Sequence, residues 1–124
     1  HPGKTLSTEV ASELLASAEK NLAEVKRSLE GEDKKKLSRL SFAHMNIFKQ
    51  KDCHDKRFDK IIITAGIEQS QLKDIRKLAE SFLKEEGILL CPYRYGPMMM
   101  LRKISGKLIE NYTKEEYAFV PLRI

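Results

Sequence analysis

Three places in the sequence combine a strand-like pattern with a polar side chain that could bind a ligand. Glu9 stands between a short alternating stretch and a helical pattern, Asn46 follows a second strand-like run, and Thr64-Ala65-Gly66 follows three isoleucines. In sheets flanked by helices, ligands bind at the carboxyl ends of strands, and an acid there, followed at once by a helix, can accept hydrogen bonds from both ribose hydroxyls of a nucleotide-type cofactor. When Glu9 is considered alone, the simpler interpretation is a solvated surface glutamate. The Asn46 amide could read a base edge or cap a turn.

Conventional catalytic and metal-binding patterns do not occur in the sequence. It has no glycine-rich loop after a strand and no Gly-x-Ser-x-Gly motif. Cys53 and His54 are adjacent, but a zinc site needs four ligands, usually in spaced pairs, and His1 and His44 supply no second pair. We therefore expect a polar loop and no metal. A disulfide is not expected either, because Cys53 lies in a polar run and Cys91 ends an apolar one.

The composition favours one globular unit over residues 1–124. The chain has 124 residues, of which 41% are hydrophobic and 33% are charged, and no apolar run approaches the roughly 20 residues that span a bilayer. No secretory signal is visible at the N-terminus. These features predict a soluble chain with no membrane partner, and the cytoplasm is its expected compartment. The net charge is +5, but the lysines alternate with acids, a pattern that does not favour nucleic-acid binding.

Hydrophobic periodicity indicates the elements of the first half. Apolar residues recur at three- and four-residue steps from Ala11 to Leu29, which predicts an amphipathic helix. A short strand is expected over residues 4–10, before this helix. Gly31 is expected to end the helix, with an exposed connection over residues 32–36. A second strand is expected at residues 40–45, and a polar loop at residues 49–57.

The second half has stronger patterns. Ile61-Ile62-Ile63 predicts a strand covered on both faces. A helix should follow, closed by Gly87, with an apolar face formed by Leu72, Ile75, Leu78, Ala79, Phe82 and Leu83. A buried strand is expected at residues 88–91, then an antiparallel hairpin of residues 98–104 and 107–112, and a last strand at residues 116–122. The alternation of strands and helices predicts an α/β fold, mainly parallel with an antiparallel C-terminal part.

Four segments in order resemble protein-L-isoaspartate O-methyltransferases, which are class I S-adenosylmethionine-dependent enzymes. Gly3 to Val10, with the Lys20-Asn21-Leu22 that follows, is similar to the second strand and helix of that family, and Phe58 to Ala65 is similar to its Tyr-Asp-x-Ile-x-Val-Thr-Ala run. The other two segments are Gly87-Ile88-Leu89-Leu90-Cys91-Pro92 and Phe119-Val120-Pro121-Leu122, the latter similar to the distinctive Phe-Val-Pro-Leu ending of the family. The resemblance covers nearly the whole chain and identifies it with the C-terminal two-thirds of such a domain.

The resemblance implies specific roles for residues of this chain. It places S-adenosylmethionine against six residues at three strand ends: Glu9, Val10, Asn46, Ile47, Thr64 and Ala65. Glu9 would hold the cofactor ribose, Asn46 would lie next to the adenine in place of the acid usual in the family, and Thr64 and Ala65 would border cofactor and substrate. The implied reaction passes a methyl group to an isoaspartyl carboxylate by in-line displacement, which requires positioning and desolvation and no protein nucleophile.

The resemblance also implies that part of the cofactor site lies outside these residues. The chain begins at the second family strand, so the first strand and the glycine-rich loop that follows it are not in it. In family numbers the implied sheet order is three-two-one-four-five-seven-six, with the missing strand between the strand at residues 4–10 and that at Ile61 to Ile63. We expect an incomplete Rossmann-like sheet, completed by a second polypeptide that carries the strand and the loop.

Three functions are compatible with this sequence. The first is part of a split or truncated methyltransferase that acts on isoaspartyl residues of damaged proteins once it is completed. The second is a non-catalytic, methyltransferase-like subunit or scaffold, for which Asn46 and the missing loop are the evidence. The third is a class I methyltransferase that acts on RNA or a small molecule; the net charge favours it, and the Phe119-Val120-Pro121-Leu122 ending opposes it.

Overall fold

The computed structural model describes residues 3–49 and 56–123. The chain divides into two compact units, one within residues 1–50 and one within residues 51–124, which we call the N-terminal unit and the C-terminal unit. Each is described by itself, and the expectation of one unit over residues 1–124 stays a prediction. None of the helices in the described ranges is long and apolar enough to cross a membrane.

The N-terminal unit consists of a parallel strand pair and two helices. Strand β1 (Thr5–Glu9) pairs with β2 (Leu40–His44) in parallel, so that Glu9 lies opposite His44. Helix α1 (Ser12–Ser28) connects them, as the periodicity predicts. Parallel pairing requires a crossover of this kind, because the chain must return to the same end of the sheet before the second strand begins.

Residues 32–36 are exposed as expected, but they belong to a helix rather than to an irregular connection. Gly31 does not end α1; it is the first residue of a second helix, α2 (Gly31–Leu37). The positive φ of Gly31, 63°, turns the chain between the two helices in a conformation that glycine tolerates best. Acids in the first turn of α2 and lysines in its last turn match the helix dipole, which explains how so polar a stretch becomes helical.

The C-terminal unit is built on a four-stranded sheet in the order β3-β4-β6-β7. Its strands are β3 (Phe58–Ile62), β4 (Leu83–Pro92), β6 (Met98–Ile104) and β7 (Lys107–Tyr112). Strand β3 is parallel to β4, whereas β6 is antiparallel to both β4 and β7. A 3-10 turn (Gln69–Gln71) and helix α3 (Leu72–Phe82) connect β3 to β4. The fold is therefore mixed α/β, with the predicted hairpin in place.

The order of the hairpin strands differs from the order that the resemblance implies. In family numbers β3, β4, β6 and β7 are strands four to seven, and they follow one another as four-five-six-seven. Only residues 93–97 separate β4 from β6, and sequential strands joined by so short a connection pair directly. The turn at Ser105 and Gly106, where both φ angles are positive, then places β7 beyond β6.

The expectation that Ile61 to Ile63 are covered on both faces is wrong. Ile63 is buried, with 8% of its surface exposed, but the Ile62 side chain is 66% exposed. Successive side chains of a strand point to opposite faces, and α3 is the only helix described in this unit. One face of β3 is therefore covered and the other is open.

Two further boundaries are corrected. Helix α3 carries five of the six residues of the predicted apolar face, but it ends at Phe82, and both Leu83 and Gly87 lie inside β4. A Cβ at Gly87 would come within 2.8 Å of the Lys84 carbonyl oxygen, so glycine serves close backbone packing there rather than a helix end. In place of the expected strand at residues 116–122, only β8 (Tyr117–Ala118) forms, and it pairs with β5 (Tyr95–Gly96).

The core lies between α3 and the sheet of the C-terminal unit. It is made of residues from the end of β3 through α3 and β4 to β6. They are Ile63, Ile67, Leu72, Ile75, Leu78, Ala79, Leu83, Leu89, Cys91, Met99 and Leu101. This packed layer holds the loop that follows β3 against a rigid support.

Candidate functional site

Glu9 ends β1 as predicted, and its carboxylate already makes local hydrogen bonds. Oε1 accepts from the backbone N–H groups of Val10 and Ala11, both at 3.0 Å. This contact fixes the chain where it enters α1, because it pairs two N–H groups that the turn leaves unpaired. Both bonds use Oε1, so within the described residues Oε2 is left to accept from a ligand. The carboxylate can thus hold the turn and receive a hydroxyl.

His44 is a neighbour of Glu9 that sequence reasoning missed. It lies opposite Glu9 in the β1–β2 register, and its Nε2 is 3.0 Å from the Val10 carbonyl oxygen. A carbonyl oxygen can only accept, so this nitrogen carries the proton. The sequence carries one signal for this role, the position of His44 near the end of the second predicted strand.

Asn46 and Ile47 follow β2 in a short turn. The Asn46 side-chain Oδ1 accepts from the Phe48 N–H at 3.0 Å, and its backbone oxygen accepts from the Lys49 N–H at 3.0 Å. The amide therefore caps a turn, which is the simpler of its two interpretations. The Met45 N–H donates to the Glu9 carbonyl oxygen at 3.1 Å. Glu9, Val10, Asn46 and Ile47 thus lie together at the carboxyl ends of β1 and β2.

Thr64 and Ala65 follow β3 in the C-terminal unit. Thr64 is exposed and Ala65 half-buried. The next residue, Gly66, is buried, and a Cβ there would lie 2.5 Å from the Arg94 Cα. Its backbone donates to the Val120 carbonyl oxygen at 2.7 Å and accepts from the Leu122 N–H at 2.8 Å. The loop is therefore anchored through both backbone groups of Gly66, and Thr64 beside it is exposed.

A small hollow in the C-terminal unit does not coincide with these strand ends. Its volume is about 100 Å³, whereas pockets for small ligands are about 300–1,000 Å³. The lining residues are Leu90, Met98, Met100, Asn111, Tyr112 and Thr113. It is too small to enclose a nucleoside cofactor, and none of the six predicted contact residues lines it.

The strongest electrostatic cluster is also away from the strand ends. The Arg76 guanidinium lies 2.5 Å from the Glu110 carboxylate, and the Tyr112 hydroxyl donates to the same carboxylate at 2.8 Å. The hydrogen bond from Arg76 lowers the pKa of Glu110. The pKa of Tyr112 is raised, mainly by burial and in addition by its hydrogen bond to Glu110. The cluster joins α3 to β7, so its role is structural.

The residues that could act as nucleophile or ligand are few in the described ranges. Burial raises the pKa of the Cys91 thiol to about 12, so it is neutral at physiological pH and a poor nucleophile. No group of three or more possible metal ligands occurs within residues 3–49 and 56–123. Cys53 and His54 lie outside the described residues.

Comparison with solved structures finds the fold in a known enzyme. A protein-L-isoaspartate O-methyltransferase superimposes with a TM-score of 0.70 over 98% of this chain, at 20% sequence identity. The likeness shows the fold. The chain spans about a third of that protein, 34% of its length. No family model matches the sequence, and no curated protein sequence matches it.

The chain therefore has a methyltransferase-like α/β fold. Its described residues offer one acceptor suited to a ribose, Glu9 Oε2, and one exposed strand-end hydroxyl, Thr64. The Oδ1 atom of Asn46 is engaged by the Phe48 N–H.

Proposed function

We propose that this chain is part of an S-adenosylmethionine-dependent methyltransferase that acts on isoaspartyl carboxylates in damaged proteins. The observation that carries the proposal is the superposition of 98% of the chain on a protein-L-isoaspartate O-methyltransferase, together with an acid at the carboxyl end of β1. Strand ends are where ligands bind in such sheets. The proposal includes a location in the cytoplasm.

The residues of this chain act by binding and positioning. When bound, the cofactor supplies an electrophilic methyl group. Glu9 Oε2 would accept hydrogen bonds from its ribose hydroxyls, and Val10, Asn46 and Ile47 would border its base. Thr64 and Ala65 would border both the cofactor and the substrate carboxylate. Transfer by in-line displacement requires the attacking oxygen and the methyl carbon to be aligned and kept from water. A protein nucleophile is not needed for this transfer.

A second polypeptide that carries a strand and a glycine-rich loop is the second part of the proposal. Among the described residues, strand β3 has a neighbouring strand on one side only, and so has β1. A strand edge is a row of unpaired backbone groups, each of which costs about 1–3 kcal/mol if buried without a partner. The open face at Ile62, which is 66% exposed, offers an apolar surface beside the open edge of β3. These features favour a completing segment there.

One observation favours a non-catalytic subunit as the second candidate. Asn46 stands where the resemblance implies an acid, and its side chain is used to cap the 46–49 turn. A chain that kept the fold and lost the cofactor would tolerate this change. The two candidates differ in whether the assembly that contains the chain binds S-adenosylmethionine.

The decisive experiment titrates S-adenosylmethionine into that assembly, isolated through an affinity tag on this chain. We expect Glu9→Gln to weaken binding roughly tenfold to a hundredfold, because a hydrogen bond to a charged group contributes about 1.5–3 kcal/mol. Glutamine keeps an oxygen for the Val10 and Ala11 N–H groups but replaces the other acceptor by a donor. The measurement is the dissociation constant by calorimetry.

Glu24→Gln is the matched control. It makes the same charge change at an exposed position of α1, and binding should be unchanged. If the assembly binds no S-adenosylmethionine at millimolar concentration, the catalytic proposal is wrong and the scaffold takes its place. If the two variants bind equally well, the role given to Glu9 is wrong.

A further inference from the structure

The loop that carries Thr64 and Ala65 is hydrogen-bonded to the far end of the chain. Gly66 donates to the Val120 carbonyl oxygen at 2.7 Å and accepts from the Leu122 N–H at 2.8 Å. These two bonds form a parallel bridge between Gly66 and Pro121. The two partners of this bridge are 55 positions apart in the sequence, so the contact is tertiary and not part of a local turn.

A third segment completes the connection. The Arg94 N–H donates to the Ile67 carbonyl oxygen at 2.9 Å, and the Phe119 N–H donates to the Arg94 carbonyl oxygen at 2.9 Å. The Gly66 Cα faces the Arg94 backbone so closely that no side chain fits between them. We call residues 119–122 the tail; it and the turn at Arg94 hold the loop from two sides.

Gln71 links the tail to the start of α3. Its Nε2 donates to the Leu122 carbonyl oxygen at 3.2 Å, while its Oε1 accepts from the Glu68 N–H at 2.9 Å. One side chain thus caps the helical turn after the loop and binds the tail. The residue before the tail bridge, Val120, is 72% exposed. Hydrogen bonds rather than burial therefore attach this part of the tail.

We infer that the tail is a positioning segment, which fixes the Thr64–Ala65 loop through Gly66 in the conformation that receives the ligand. The consequence for the ligand rests on the proposed function; the attachment itself does not. Without the tail, Gly66 would lose both of its backbone partners and the loop would sample other conformations. In this role the residues of the tail contact the loop and do not contact the reacting atoms.

Leu122→Pro tests the inference in the full chain. Proline removes the N–H that donates to Gly66, whereas the matched variant Leu122→Ala keeps that N–H and removes most of the side chain. We expect hydrogen exchange of the Gly66 amide to become at least about tenfold faster in Leu122→Pro than in Leu122→Ala, with exchange at Ile75 and Leu78 of α3 unchanged. Equal exchange at Gly66 in both variants overturns the inference.

Gln71→Glu is the second variant, for the case in which proline disturbs the whole unit. Glutamate keeps an acceptor for the Glu68 N–H but cannot donate to the Leu122 carbonyl oxygen. Gly66 exchange should again rise, by a smaller factor. Gln69→Glu makes the same charge change two residues earlier, at an exposed position. This control should leave hydrogen exchange of the Gly66 amide unchanged. A rise in both variants would show an effect of charge and not of the tail contact.

The ligand measurement separates this inference from the proposed function. In the native assembly, Leu122→Pro should weaken S-adenosylmethionine binding about tenfold relative to Leu122→Ala. Faster exchange without weaker binding would show that the tail holds the loop but does not position it for the ligand. If even the wild-type assembly binds no S-adenosylmethionine, the proposed function fails, and the exchange result alone decides whether the tail holds the loop.

Discussion

The two units of the chain place their apolar side chains very differently. Every buried hydrophobic residue of the described ranges belongs to the C-terminal unit. In the N-terminal unit, residues 3–49 contain none, although α1 carries a regular apolar stripe; Leu14 is 59% exposed and Val25 47% exposed. The same kind of helical pattern is thus buried in α3 and only partly covered in α1.

The difference separates what a pattern can and cannot predict. An amphipathic stripe predicts a helix, because helix formation depends on local spacing. Burial of the stripe depends on a second surface that packs against it, and other parts of the chain must supply that surface. The C-terminal unit supplies that surface to α3 in its own sheet, whereas the N-terminal unit offers α1 only two short strands. The C-terminal unit should therefore carry most of the folding free energy.

The largest expected effect comes from the core of the C-terminal unit. Leu101 is fully buried, and Leu101→Ala should lower the free energy of unfolding by about 2–5 kcal/mol. Leu14→Ala, the same change on the exposed stripe of α1, should alter it by less than about 0.5 kcal/mol. Urea unfolding measures both. Similar losses from the two changes would contradict the comparison.

An intermediate effect is expected at the loop after β3. Gly66→Ala would place a Cβ 2.5 Å from the Arg94 Cα, and the resulting overpacking should cost about 1–3 kcal/mol. Gly3→Ala in the N-terminal unit meets nothing within 4 Å and is the control. A Gly66→Ala protein as stable as the wild type would show that the loop shifts freely.

The smallest expected effect is the pH dependence of the Arg76–Glu110 contact. Arg76 lowers the pKa of Glu110, so the ionised carboxylate favours the folded state. This contribution is present above the ordinary glutamate value of about 4.3 and is lost as the pH falls through the lower pKa of the folded state. Glu110→Gln should therefore reduce the urea midpoint at pH 7 and have a smaller effect at pH 2, where protonation of the carboxylate reduces its charge.

Glu116→Gln is the control for that measurement, since Glu116 is exposed. It should leave the midpoint unchanged at both pH values. If Glu110→Gln lowered the urea midpoint equally at pH 7 and pH 2, the carboxylate would act by its shape and not by its charge.

Much of the fold could be predicted from local pattern. The spacing of apolar residues located α1 and α3, and Ser105-Gly106 between alternating runs located the hairpin to the residue. Two glycines were misinterpreted. Gly31 begins a helix and Gly87 lies inside a strand, because the role of a glycine depends on what approaches it in space, which neighbouring residues do not specify.

The candidate site was predictable only in part. Strand ends could be located, and Glu9, Asn46 and Thr64 do follow or end strands. The partners of these side chains could not be predicted, since the Asn46 contact depends on the shape of its turn and the His44 contact on the β1–β2 register. The attachment of Gly66 to the tail was also missed, because it joins residues more than 50 positions apart through backbone atoms.

Methyl transfer tests the central claim most directly. The native assembly is incubated with S-adenosylmethionine labelled in its methyl group and with two peptides of one sequence, one containing isoaspartate and the other aspartate. We predict a base-labile labelled ester on the isoaspartyl peptide alone, reduced by Glu9→Gln and not by Glu24→Gln. Absence of label on both peptides, with S-adenosylmethionine bound, would contradict the account. Label on RNA in a parallel incubation that contains RNA in place of the peptides would assign the fold to a different methyltransferase.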